Sequence, residues 1–330
     1  MSTRRKTTLL ICIFILLTSM LSGCAALMPQ RRSFPGFIAV IASKNDTFSS
    51  LASKYLNDPS KGWVIADYNN LDVLKPGQQL IIPLTTEVTG GLTPRGYQTV
   101  PILAYHNFSD NRSDKMTVKK ADFEAQMKLL KDLGYHVISL DEFFDFIDYK
   151  INIPRKSCVI TIDDGWQGVY DIAYPILKKY RYPATLFVYT DLISGSKKTL
   201  SWDQVGEMMK NGIDMQNHTK THRDLGNKEK EESFETYFRN LKEELEVSED
   251  TIRKRLGKKV RYLAYPYGNT NPLVIALLRK RGYRGAFTVD RGSSPFFVSP
   301  YRINRSVIYG DMSLKKFEKN LTVYSRRALR

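Results

Sequence analysis

Cysteine and histidine are both scarce, at three and four residues in a chain of 330. Cys12 and Cys24 fall in the opening segment and Cys158 alone lies in the body of the chain. A disulfide-stapled scaffold is therefore excluded. Cys158 sits in the apolar run Ser157-Cys158-Val159-Ile160-Thr161-Ile162 and reads as core packing rather than as a nucleophile. Acidic residues are short as well, 34 against 50 Lys and Arg, for a formal net charge of +16. That imbalance draws a protein toward anionic polymers and phospholipid surfaces. So few histidines make their placement informative, and two of them form His218-Thr219-Lys220-Thr221-His222.

Long apolar runs are also lacking. Leu9 to Leu21, behind Arg4, Arg5 and Lys6, is too short for a comfortable membrane span and reads as an export signal over residues 1–23. Leu21-Ser22-Gly23-Cys24 resembles a bacterial lipobox, which implies that Cys24 is lipidated and becomes the mature N-terminus. An ordinary secretory signal or an uncleaved anchor is the alternative. Ala25 follows the cysteine rather than Asp, so no inner-membrane retention is signalled; in a cell with two membranes an outer-membrane lipoprotein is expected. Loss of the three basic residues lowers the net charge from +16 to +13. An exported lipoprotein would seldom meet nucleic acid, so none is expected as a partner.

Residues 24–35 read as a tether and 36–84 as a compact unit of order strand, helix, helix, strand. Its strands are Phe37-Ile38-Ala39-Val40-Ile41 and the run ending in Ile82-Pro83; Asn45-Asp46-Thr47 caps its first helix. Asp46-Thr47-Phe48, Asn69, Leu74-Lys75-Pro76-Gly77-Gln78 and Ile82-Pro83 resemble the LysM module, which implies binding of N-acetylglucosamine-containing glycans. A plain structural spacer is the alternative. Residues 85–99, rich in Thr, Gly and Pro, read as a linker.

From Val100 strands and helices alternate, which predicts an α/β barrel or wound sheet with its chemistry at the carboxyl ends of the strands. Expected strands include Val137-Ile138-Ser139-Leu140, followed by Asp141 as a helix cap, and a long charged helix is expected to bury Phe234, Phe238, Leu241, Leu245, Ile252 and Leu256. Its Glu and Lys residues read as a solvated face. Asp163-Asp164-Gly165 ends one predicted strand, and the His218–His222 pair follows Ile213-Asp214-Met215-Gln216-Asn217. Two carboxylates and two imidazoles can supply three metal ligands with one acid/base group to spare, the set that metal-assisted hydrolysis needs.

Thr161-Ile162-Asp163-Asp164-Gly165, His218-Thr219-Lys220-Thr221-His222 and Tyr265-Pro266-Tyr267-Gly268 resemble the motifs of the polysaccharide deacetylases, the NodB-homology or family four carbohydrate esterases. The resemblance spans residues 100–330. It implies a distorted (β/α) barrel and metal-dependent N-deacetylation of N-acetylglucosamine polymers. Asp164, His218 and His222 would hold Zn²⁺ or a similar divalent ion, Asp163 would be the general base, and the backbone N–H of Tyr267 would stabilise the oxyanion. Trp166, Pro266, Tyr267 and Arg305 are candidates to line the sugar cleft, with barrel packing as the alternative for Trp166.

Two departures from the family pattern stand out. Ala264 replaces the usual base-orienting Arg, leaving Arg302 or Arg305 as candidates, and no C-terminal motif histidine is present. The opening Pro101-Ile102-Leu103-Ala104-Tyr105-His106 resembles permuted members such as the poly-β-1,6-N-acetylglucosamine deacetylases, which makes His106 the expected general acid and His136 a structural residue. Poly-β-1,6-N-acetylglucosamine is the expected substrate. Peptidoglycan, an O-acetylated sugar or a purely glycan-binding role are the alternatives, and exopolysaccharide synthesis or export machinery is a candidate partner.

Overall fold

The computed structural model describes residues 31–327, so the export signal and Cys24 lie outside the described residues. The chain divides into one unit ending at Glu87 and another beginning at Val88. Among the described residues no helix is long and apolar enough to cross a membrane.

In the first unit, strands Phe37–Ile41 and Gln79–Pro83 pair antiparallel and enclose helices Phe48–Leu56 and Gly62–Tyr68 in chain order. Thr47 caps the first helix reciprocally with Ser50, satisfying two backbone donors that a helix start leaves open. Ile38, Val40, Leu51, Ala52, Ile65, Leu80 and Ile82 form the core. Asn69, just past the second helix, accepts from Ile81 N at 2.8 Å and donates to Ile81 O at 2.7 Å, stapling that helix end to the strand. Part of the expected tether is structured: Arg31–Phe34 adds a third strand beside Phe37–Ile41, turned through Gly36 at φ 81°.

The second unit is wound around a parallel sheet. Its strands run in the order Gly285–Phe287, Tyr262–Ala264, Ile213–Asn217, Ala184–Val188, Ser157–Asp164, Val100–Tyr105 and Ser306–Val307. Helices cover the outer face, so both faces are buried and the strands are apolar throughout, as in Val100–Tyr105. The two-residue side-chain alternation of Ser157–Asp164 sorts it cleanly. Cys158, Ile160 and Ile162 pack with the helices, whereas Val159 joins Phe187, Tyr262, Phe287 and Ile303 in a separate inner cluster. Thr161 and Asp163 share that inner parity. Burial pushes the Cys158 thiol well above its usual value, which fits a packing role.

Residues 300–307 curl the sheet round toward closure. Ala286 donates to Pro300 O and Ile303 donates to Ala286 O, while Ser306 and Val307 pair with Leu103 and Ala104. An irregular segment thus stands where a regular barrel would have a full strand. This is the distortion the family resemblance implies.

Several local expectations shift. The presumed linker contributes Leu92–Thr93 and Gly96–Gln98, which pair with each other, and the latter also pairs with Tyr324–Ser325. The strand near residue 137 shrinks to His136–Val137, and Ser139, not Asp141, caps the next helix with Glu142 as its reciprocal partner. Asp141 instead accepts from Arg261 and from the Tyr262 hydroxyl. In helix Phe234–Leu256 the buried face is Tyr237, Leu241, Glu244, Leu245, Ser248 and Ile252. Phe234 and Phe238 are exposed, because the buried stripe begins at Tyr237, a turn after Phe234 and one residue before Phe238.

Candidate functional site

Asp164 ends its strand at φ 78°, followed by Gly165 at φ 123°. This left-handed step breaks the alternation, so Asp163 keeps the inward direction of the strand while Asp164 turns toward the histidines. His218 follows strand Ile213–Asn217, and its loop also makes left-handed steps at Thr219 (φ 76°) and His222 (φ 66°). Strain of that kind persists only where the surroundings over-determine it.

Three groups hold the loop. Asn217 Oδ1 accepts from Thr219 N at 2.8 Å while its Nδ2 donates to Ser248 Oγ and Tyr283 Oη. Thr219 Oγ1 accepts from His222 N at 3.1 Å. Glu244, from the long helix, accepts from Lys220 N at 3.0 Å, Thr221 N at 2.9 Å and Thr221 Oγ1 at 2.7 Å. Glu244 and Asn217 escaped the sequence reading, since a carboxylate in a charged helix reads as solvated. The signal was there: Glu244 lies between Leu241, Leu245 and Ser248 on one helical stripe.

The loop brings the predicted metal ligands together. His218 Nε2 and His222 Nε2 lie 3.7 and 3.6 Å from Asp164 Oδ1. One donor atom from each of the three residues falls within 4.8 Å of the others. A tetrahedral ion with bonds near 2 Å sets its ligands roughly 3.3 Å apart, so these residues fit a divalent cation with small adjustment. His218 Nδ1 is 2.7 Å from Ala264 O, which fixes Nδ1 as the protonated nitrogen and leaves the Nε2 lone pair for a metal. Burial lowers the His218 pKa despite Asp163 and Asp164 nearby, which favours the neutral imidazole that binds metal. Trp166 Nε1 donates to Asp164 Oδ2 at 2.8 Å, leaving Oδ1 for the ion. Trp166 is half-buried, so its ring is tied to a ligand rather than free to move in a cleft.

Asp163 lies beside this triad and is buried. Arg305 donates from both terminal nitrogens to its two oxygens, each at 2.7 Å. Burial raises the Asp163 carboxyl, but Arg305, His218 and His106 outweigh it and hold the group well below the usual carboxylate range. Arg305 has no exposed surface: its other donors meet Thr288 O and Thr161 Oγ1, and its guanidinium lies over the Phe187 and Phe287 rings. It therefore cannot touch a glycan, and its expected place in the sugar cleft gives way to one behind Asp163. Arg302, the rival candidate, is exposed and leaves that place to Arg305.

His106 Nε2 is 4.0 Å from Asp163 Oδ2, and its buried Nδ1 has no hydrogen-bond partner among the described residues. His136 is at a strand start, away from this cluster, as expected. Tyr267 sits at φ 58°, 63% exposed, with its ring edge-on to His222 at 4.8 Å; Tyr189 approaches the same imidazole at 5.2 Å. Pro266 is buried beneath that turn and so supports Tyr267 rather than contacting sugar. A buried, ionised carboxylate, a half-buried imidazole and a triad that suits a divalent cation are groups that hydrolysis of an acyl bond can use.

Known proteins resemble both units. The polysaccharide deacetylase profile matches residues 150–286 and the LysM domain profile residues 42–83. The poly-beta-1,6-N-acetyl-D-glucosamine N-deacetylase of Staphylococcus epidermidis is 31% identical over 200 residues, 59% of this chain and 69% of the relative. Among solved structures, the Streptococcus pyogenes deacetylase PplD in complex with acetate superposes with a TM-score of 0.61 at 27% identity, covering 69% of this chain and 99% of that one. IcaB from Ammonifex degensii gives a TM-score of 0.61 at 25% identity, covering 68% and 98%.

Proposed function

Because this chain belongs to the polysaccharide deacetylase family, a family of amide hydrolases, we propose that it removes acetyl groups from poly-β-1,6-N-acetylglucosamine in the cell envelope. The observation that carries this reading is the convergence of Asp164, His218 and His222 with Asp163 alongside.

In this mechanism Asp164, His218 and His222 would hold a divalent cation, and two imidazoles with one carboxylate would suit Zn²⁺. Such an ion supplies Lewis acidity toward the acetyl carbonyl and makes water more acidic. Asp163, kept ionised by Arg305, accepts a proton from the attacking water. The backbone N–H of Tyr267, an exposed residue on a left-handed turn, donates to the carbonyl oxygen as negative charge develops there. His106, next to Asp163, gives a proton to the leaving nitrogen, so the amine departs uncharged and the amide bond breaks.

The first unit acts as a glycan tether that raises local substrate concentration without adding catalytic contacts. Lipidation at Cys24 would hold the enzyme at a membrane outside the cytoplasm. Peptidoglycan is the second reading, favoured by the LysM match. Acetate release from purified poly-β-1,6-N-acetylglucosamine and from peptidoglycan, each with and without chelator, decides between them. Release from the wall polymer alone would overturn the preferred substrate, and release from neither would overturn the activity.

A further inference from the structure

We propose that the second unit carries a separate anion site whose ligand is a sugar phosphate. A cavity of about 560 Å³ is walled partly by Ser293, whose strand pairs with Val100 and Pro101 at the amino end of Val100–Tyr105. The opposite end of that strand leads to His106 and the metal triad. At ~3.3 Å per residue the strand alone separates the two places by roughly 16 Å.

Among the described residues, four cations, Arg291, Lys319, Arg326 and Arg327, line the cavity, and no carboxylate side chain does. Some cations of this chain are closely paired elsewhere, Arg281 with Glu246 and Glu249 and Arg284 with Asp145 and Asp148. Among the described residues none of the four cavity cations makes an ion pair. Clustered like charges without counter-charges cost stability, and an anion would offset that cost. Three of the four are arginines, whose planar forks suit phosphate oxygens, and four positive charges exceed what a single carboxylate would balance.

The rest of the lining suits a sugar ring. Tyr97 and Tyr324 contribute aromatic surface, and Thr, Ser and Asn side chains contribute neutral donors and acceptors. The volume falls within the range of small-molecule sites, roughly 300–1,000 Å³. The deacetylated product is ruled out as occupant, since its new amines are cationic and would be repelled. A phosphate-bearing envelope glycan has the required sign and shape. Held there, it would keep the enzyme on an anionic polymer while the triad works on a neutral one.

The test uses the full chain and calorimetric titration with glucose 6-phosphate, glucose and inorganic phosphate. The sugar phosphate should bind, glucose should not, and inorganic phosphate should bind more weakly. The paired change Arg291→Glu and Lys319→Glu should lower sugar-phosphate affinity by about tenfold or more. Both side chains are exposed, so the variant should melt no lower than the parent and release acetate from a neutral N-acetylglucosamine oligomer at the parental rate. The milder pair Arg291→Gln and Lys319→Gln should give an intermediate loss and guards against misfolding of the charge reversal. Unchanged affinity in both variants would overturn the site, and phosphate binding as tightly as the sugar phosphate would overturn the sugar assignment. Binding to phosphatidylglycerol vesicles without binding the soluble sugar phosphate would overturn the proposal in favour of a membrane surface.

Discussion

Arg305 and Asp163 meet through two parallel 2.7 Å hydrogen bonds, both side chains being buried. A bidentate pair of this kind fixes the plane of the carboxylate as well as its charge. Arg305→Lys keeps the charge but loses the fork, so kcat should fall while bound metal stays near stoichiometric. The carboxyl, no longer held so far down, should titrate at higher pH, moving the acid limb of the kcat/KM profile upward. Arg305→Ala leaves a buried charge unpaired and should cost about 3–5 kcal/mol of stability, read by denaturant unfolding. An acid limb that stays put in the lysine variant would remove Arg305 from control of the base.

The Asp163 pair also makes a stability prediction. Its folded-state carboxyl lies below the unfolded value, so the stabilisation is fully present above the usual carboxylate range and is lost as pH falls through the lower, folded value. Asp163→Asn should therefore flatten the acid side of the stability profile and abolish turnover, with metal retained.

Trp166→Phe keeps an aromatic ring and deletes only the donor to Asp164 Oδ2. Loss of such a partner typically costs about 10–100-fold in metal affinity. Competition against a chelator measures it. If affinity holds while KM for the polymer rises, the ring serves the sugar and not the ligand.

Glu244→Gln weakens an acceptor shared by two backbone N–H groups and a hydroxyl of the histidine loop. Metal affinity should fall by about tenfold or more, while kcat at saturating metal changes less. Glu243→Gln, at an exposed neighbour that bonds the Lys220 side chain, should leave affinity at the parental value.

His106→Ala should lower turnover by about 10²–10⁴-fold with metal content unchanged. Parental acetate release would exclude His106 as the acid.

The convergence of Asp164, His218 and His222 beside Asp163 was legible because each belongs to a short motif at or just past a strand end, where spacing carries geometry. Arg305 was half legible. Its partner is 142 residues away, and nothing local separates it from Arg302. What separates them is burial within the curled sheet, set by the pairing of residues 300–307 with strands from both ends of the unit. Pro266 misled for a related reason: motif membership says that a residue matters, not whether it faces solvent. Ser139 outcompeted Asp141 as a cap because Glu142 stands at the reciprocal position, whereas Asp141 is drawn to Arg261. The early aromatic residues of the long helix were misplaced by a stripe whose phase is set by Tyr237 and by the inward Glu244.

The wall that brings Arg305 to Asp163 is also the last piece of the barrel to be made. During synthesis the base and the three ligands emerge long before their guanidinium partner, so a nascent or C-terminally clipped chain would carry a complete motif set with a disarmed carboxylate. Hydrolytic competence is thereby tied to finishing the fold.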